Sequence, residues 1–192
     1  SFPTRRSSDL PGTRGPVGVD MRGLNQSGFC SYDPGFANTA GCQSAISWID
    51  TENSVLLHRG YPVDQLARQC DFLEVAYIML NGDAPDEASY QTFRETITRH
   101  TLVHEQIARM CSGFRRDSHP MALMCALVGA LAAFYHDVLD VENPQHRALA
   151  ATRLLSKMPT IAAMSYKYTI EQPAAYPRND LSYAGNFLQK IG

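Results

Sequence analysis

The sequence predicts a mainly α-helical protein with a small β-rich segment at its amino end, and three observations lead there. From Val63 onward, segments carrying helix start and stop signals follow one another. Residues 11–62 are instead rich in Gly and short polar residues and hold a stretch of period-two alternation. Finally, 192 residues at 44% hydrophobic and 19% charged suit one domain with a substantial core, or part of a larger one.

Ser1 to Leu10, SFPTRRSSDL, lacks the apolar run of a secretory signal and the amphipathic stripe of a transit peptide. It matches the translation of a common sequencing adapter and is expected to be a non-native tag outside the fold. Within 11–62, DPGF at Asp33 to Phe36 is a turn signal. Ala45, Ser47 and Ile49 alternate with Ile46, Trp48 and Asp50; after the turn residues Thr51 to Ser54, VLLH at Val55 to His58 is expected to return as the second strand of a hairpin.

The helical part, 63–192, opens with a short helix from Val63 to Arg68. A second, FLEVAYIML at Phe72 to Leu80, stops at Asn81-Gly82. Pro85 and Asp86 open a third that runs toward Thr98, and His104 to Phe114 suits a fourth. The fifth, Met121 to Tyr135, is shorter than the roughly 20 apolar residues a bilayer span needs and is flanked by Arg115, Arg116, Asp117 and Asp137. Apolar all round and rich in Ala and Gly, it is expected to be a buried packing helix or a dimer seam. Pro144 opens a sixth through Lys157, Pro159 is expected to break it, and a further helix carries Ile161 to Tyr168. Pro173 and Pro177 define a loop, after which Asn179 or Asp180 is expected to cap a last helix. That helix has no stop signal before Gly192, so the sequence is expected to be truncated.

Seventeen basic residues against nineteen acidic ones exclude a bulk field for nucleic acid or an anionic membrane, so any bound anion needs a local cluster. Only Lys157, Lys167 and Lys190 are lysines. That arginine bias fits either carboxylate and phosphate recognition or a GC-rich genome. Five scattered cysteines with no CxxC pair point to free thiols in a reducing compartment, most of them expected as buried small hydrophobes.

No GxGxxG, GxxxxGK[ST] or GxSxG motif is present. HTLVHE at His100 to Glu105 is not the HExxH order of a zinc protease and has no evident third ligand, while His119 and His136 are too far apart along one helix to share a metal. Asp137 and Asp140 are one turn apart, with nothing to single them out as an acid/base pair. Arg153 and Lys157 are more informative, because two cations at i,i+4 repel by a few tenths of a kcal/mol. Their placement fits either a helix carboxyl end or a shared anion.

LHRGYPVDQLA at Leu57 to Ala67, FLEVAYIMLNG at Phe72 to Gly82, TRHTLVHEQ at Thr98 to Gln106, FRRDSHPMALM at Phe114 to Met124, RLLSKMPTIAAMSYKY at Arg153 to Tyr168 and YPRNDLSYAGNFL at Tyr176 to Leu188 carry a resemblance. In that order they resemble the amino-terminal half of bacterial type II citrate synthase, and the likeness runs from about Gly12 to the end. The resemblance implies the multi-helical citrate synthase large domain after a small β-rich segment, and a cytoplasmic enzyme of the tricarboxylic acid cycle. That enzyme condenses acetyl-CoA with oxaloacetate and water to citrate and CoA, without a catalytic cofactor or metal. Its two catalytic histidines and aspartate match no position of this sequence, so no catalytic residue is assigned here and this chain alone is expected to be inactive.

The resemblance also implies inhibition by NADH at a separate site, matched here by Arg99, His100, Thr101, Tyr135, Arg153, Lys157 and Asn179. Leu102 departs from the family's methionine by a volume-conserving change. It further implies a homodimer or a hexamer of dimers, with Met121 to Tyr135 in the interface and small molecules as the other partners. Two alternatives are a 2-methylcitrate synthase using propionyl-CoA and a non-catalytic helical module that dimerises and binds a nucleotide.

Overall fold

The structure, a computed structural model, describes Met21, residues 23–40 and residues 44–192. The expected tag and Cys42 lie outside the described residues. The chain divides into two compact units between Asp71 and Phe72.

In the first unit, strands β1 (Ser47–Asp50) and β2 (Val55–His58) form the expected hairpin, with Ser47 opposite His58 and Asp50 opposite Val55. The Asp50 carboxylate accepts from the Glu52 and Asn53 amides at 3.1 Å each, which shapes the turn. A third strand that the sequence did not announce, β3 (Tyr61–Pro62), pairs with β2. Two residues, one of them a proline, leave no period-two signal to read. Helix α1 (Val63–Gln69) follows at once and packs on β2 and β3, and Leu57, Tyr61 and Leu66 are buried. The DPGF signal becomes a 3-10 turn at Pro34–Phe36, where Gly35 adopts φ 75°.

The second unit holds α2 (Phe72–Asn81), α3 (Glu87–Arg99), α4 (Glu105–Met110), α5 (Pro120–Phe134), α6 (Pro144–Thr169) and α7 (Tyr183–Ile191). Helix α2 ends where Gly82 takes φ 94°, as its Asn-Gly stop predicts. Asp86 caps α3 by accepting from the Ser89 amide at 2.7 Å. Helices α3, α5 and α7 all pack on α6. One core cluster joins Ile107, Cys111, Leu127, Leu131, Ile161 and Met164, and another joins Leu73, Tyr90 and Ile97. Leu123, Leu127 and Leu131 form the buried stripe of α5, while Met121, Ala122, Cys125, Gly129, Ala132 and Ala133 face outward. No helix among the described residues is long and apolar enough to cross a membrane.

Three expectations need correction. Pro159 does not break the sixth helix; α6 runs through it as one helix of 26 residues. A proline there cannot donate to the carbonyl four residues back, and that carbonyl, Leu155 O, instead accepts from the Tyr183 hydroxyl of α7 at 2.9 Å. Tertiary packing thus satisfies the group the proline orphans.

The second concerns the last helix. It is capped by Ser182, whose hydroxyl accepts from the Gly185 amide at 3.1 Å, because Asp180 is held by Arg178 at 2.7 Å. A Cβ on Gly185 would stand 2.9 Å from that capping oxygen, so the glycine makes room for the cap. The third concerns the cysteines. Of the four described, all free thiols, only Cys111 is buried, while Cys30 and Cys125 are exposed. Cys125 follows the outward stripe of α5, and burial pushes the Cys111 thiol up.

Candidate functional site

The middle of α6, the end of α5 and the α3–α4 connection converge on one group of side chains. Lys157 is 4% exposed. Its ammonium donates to His100 O at 2.7 Å and Leu102 O at 2.8 Å, which pins the connection to α6. One turn earlier, Arg153 makes a bidentate pair with Asp137, at 2.9 and 3.0 Å. Asp137 lies on a 3-10 turn at His136–Val138 anchored by buried Val138, which directly follows α5.

Tyr135, the residue that ends α5, supplies a ring face: the Arg153 guanidinium carbon is 4.8 Å and the Lys157 ammonium 5.2 Å from its centroid. Thr101 is buried, and its carbonyl accepts from the Thr160 hydroxyl at 2.8 Å.

The electrostatics follow from these contacts. The hydrogen-bonded Arg153 holds the Asp137 carboxyl below the usual carboxylate range, and Asp137 in turn raises Arg153. Burial, and then the neighbouring Arg153 charge, lowers Lys157. With two cations and one carboxylate, the group carries one net positive charge. By donor count, the Lys157 ammonium keeps one N–H beyond its two carbonyls, and Arg153 keeps three beyond Asp137. Such donors beside an aromatic face suit a small anion.

Of the seven residues the resemblance singles out, Tyr135, Arg153 and Lys157 meet through side chains and His100 joins through its backbone carbonyl, while the Thr101 carbonyl accepts from Thr160 of the same helix α6. The His100 ring instead bonds Thr96 O at 2.6 Å as α3 ends. Arg99 points to solvent and pairs with Glu95 at 3.2 Å. Asn179 is exposed in the loop before α7 and no hydrogen bond joins it to the others, although buried Asn186 clasps that loop through both the N–H and the C=O of Arg178. The helix-end explanation of Arg153 and Lys157 fails, because both sit in the middle of α6.

His104 and His119 serve as caps of α4 and α5, each accepting an amide at 3.1 and 3.2 Å. Since His100 ends one helix and His104 begins the next, the i,i+4 spacing does not place them on one helix face. Among the described residues, no three His, Cys, Asp or Glu side chains converge as for a metal.

Two participants escaped the sequence. Asp137 could not be chosen over Asp140, because its partner lies sixteen residues away on another helix. Lys190, 1% exposed, donates to Thr160 Oγ1 at 2.8 Å and so extends the chain of bonds from Lys190 through Thr160 to Thr101. Burial lowers its pKa to about 8. A lysine in an amphipathic segment reads as outward-facing, so only the fold shows it.

A family model described as citrate synthase, C-terminal domain, matches residues 35–192. The chain belongs to the citrate synthase family. Its structure is similar to the citrate synthase of Pyrobaculum aerophilum, with 27% identity, a TM-score of 0.75, and coverage of 82% of this chain and 41% of the other. It resembles the Thermotoga maritima citrate synthase in fold, at 24% identity and a TM-score of 0.68, covering 82% of this chain and 40% of that one. The same holds for the Thermoplasma acidophilum citrate synthase solved as a ternary complex with carboxymethyl coenzyme A and oxaloacetate, at 23% identity, a TM-score of 0.76, and coverage of 84% and 42%. The chain thus spans about two fifths of the length of these citrate synthases. The citrate synthase fold expected from the sequence is the one observed.

Proposed function

We propose that this chain is part of a bacterial type II citrate synthase, a cytoplasmic enzyme that joins acetyl-CoA to oxaloacetate in the tricarboxylic acid cycle, and that it contributes a regulatory NADH site rather than catalytic residues. The observation that carries the regulatory reading is the convergence of Tyr135, Arg153 and Lys157, with the His100 and Leu102 carbonyls held beneath them. Guanidinium and ammonium donors take the phosphates, and the phenol ring offers a face to the rest of the nucleotide.

The outward stripe of α5 supports a homo-oligomer, since Met121 is 55% exposed and small Ala and Gly residues beside it let a second helix approach closely. The test of the NADH site is made in the enzyme that carries this chain. Replacing Arg153 and Lys157 together by alanine removes charge-assisted donors, and the NADH concentration for half-inhibition should rise about tenfold or more. An unchanged value removes the site from this cluster.

A further inference from the structure

Arg153 already holds an anion, and that anion belongs to the protein. Its bidentate contact with the two Asp137 oxygens, at 2.9 and 3.0 Å, is the geometry in which a guanidinium binds a phosphate. We propose that Asp137 is an internal competitor for this site: a nucleotide phosphate binds by taking the place of the Asp137 carboxylate on Arg153, and Asp137 thereby sets the affinity. The inference rests on the nucleotide reading of the Tyr135, Arg153 and Lys157 cluster and adds the residue that regulates it.

Three features carry it. The two partners differ in access, since the Arg153 side chain is 20% exposed and the Asp137 side chain 57% exposed. Arg153 is therefore fixed in the wall by α6 and the Tyr135 ring, while the carboxylate can swing into water. Next, Asp137 neutralises Arg153 but leaves Lys157 balanced only by two carbonyl dipoles and a ring face, so positive charge remains for an incoming anion. Finally, a phosphate arriving beside a carboxylate left in place would face like-charge repulsion at hydrogen-bond range, so the two anions exclude one another on Arg153.

The displaced interaction is a part-exposed ion pair, so its removal should tighten binding by roughly two- to fivefold at low salt. NADH is titrated against wild type, Asp137→Asn, Asp137→Ser, Asp137→Glu and Arg153→Met, with inorganic pyrophosphate as competitor and circular dichroism to report folding. Asp137→Asn and Asp137→Ser should bind both probes more tightly. Asp137→Glu should stay within a factor of two of wild type, and Arg153→Met should weaken binding and abolish the effect of an added Asp137→Asn.

Equal or weaker binding by a folded Asp137→Asn or Asp137→Ser, while Arg153→Met still loses affinity, overturns the competitor and leaves the nucleotide site standing. Arg153→Met binding as wild type overturns the site itself and the competitor with it. The absence of NADH binding in every variant does the same, whereas binding that appears only once Asp137 is replaced supports the competitor.

Discussion

Replacing Tyr183 by Phe deletes one oxygen and asks how α6 accommodates a proline in its middle. The hydroxyl is 2.9 Å from Leu155 O, the carbonyl that residue 159 would engage if it had an N–H. The ring should keep its place, because its stack on Phe72, with centroids 4.6 Å apart and planes 8° from parallel, needs no hydroxyl. The loss is then one hydrogen bond plus an unpaired carbonyl on Leu155, a residue packed against the Leu73, Tyr90 and Ile97 cluster, about 1–3 kcal/mol. For a chain of this size that lowers Tm by roughly 2–4 °C per kcal/mol.

Pro159→Ala restores the N–H, so Tyr183→Phe in that background should cost less than about 0.5 kcal/mol. Urea unfolding of the four proteins, compared at equal m-values, measures the coupling. Equal losses in both backgrounds would refute the idea that Tyr183 replaces the missing donor. Burial also pushes the phenol up to about 12 from an ordinary value of 10. The folded state then holds its proton longer than the unfolded state. Its stability contribution is full below pH 10, is lost as pH rises through 12, and should be absent in the phenylalanine variant.

Ser182→Ala should destabilise α7 by about 1 kcal/mol in thermal unfolding, whereas Asn179→Ala and Asp180→Ala should stay within about 0.5 kcal/mol; the reverse order would return the cap to Asn179 or Asp180. Lys190 titrates at about 8 in the folded chain against 10.5 in the open, so the folded state releases its proton first and stability rises as pH climbs from 8 toward 10.5. Lys190→Met should remove that rise and gain up to about 3 kcal/mol at pH 7, and parallel pH–stability curves for the two proteins would refute it.

Legibility in the sequence tracked the range of the interaction. The hairpin, the Asn81-Gly82 stop and the Asp86 cap depend on neighbours within a few residues, and each formed where the local pattern placed it. Pro159 was misjudged because the donor that rescues Leu155 O sits on α7, 28 residues away. The cap of α7 went astray for a smaller reason: the segment Asn179 to Ser182 offers three capping side chains, and only the fold commits Asp180 to Arg178. In the candidate site, the i,i+4 spacing of Arg153 and Lys157 drew attention to the two cations with the anion reading left open, and the family resemblance added Tyr135. Asp137 and Lys190 were not picked out, since a carboxylate and an ammonium at those positions have the same sequence appearance as solvated surface groups.

The arginine bias acquires a structural sense once the partners are known. Arg99, Arg109, Arg115, Arg153 and Arg178 each face a carboxylate, and all but Arg153 do so at exposed positions. The three lysines lie on α6 and α7, all buried, and they donate to neutral acceptors: Lys157 to two carbonyls, Lys167 to the Gln172 amide at 2.6 Å, and Lys190 to the Thr160 hydroxyl. A planar guanidinium suits a two-oxygen partner in water, whereas a compact ammonium fits a gap between helices. Arg153 departs from its own group by being the part-buried one, set beside Lys157 and paired with the more exposed Asp137 carboxylate. Under the competitor proposed above, that departure is what would let a change of partner at Arg153 act as a signal.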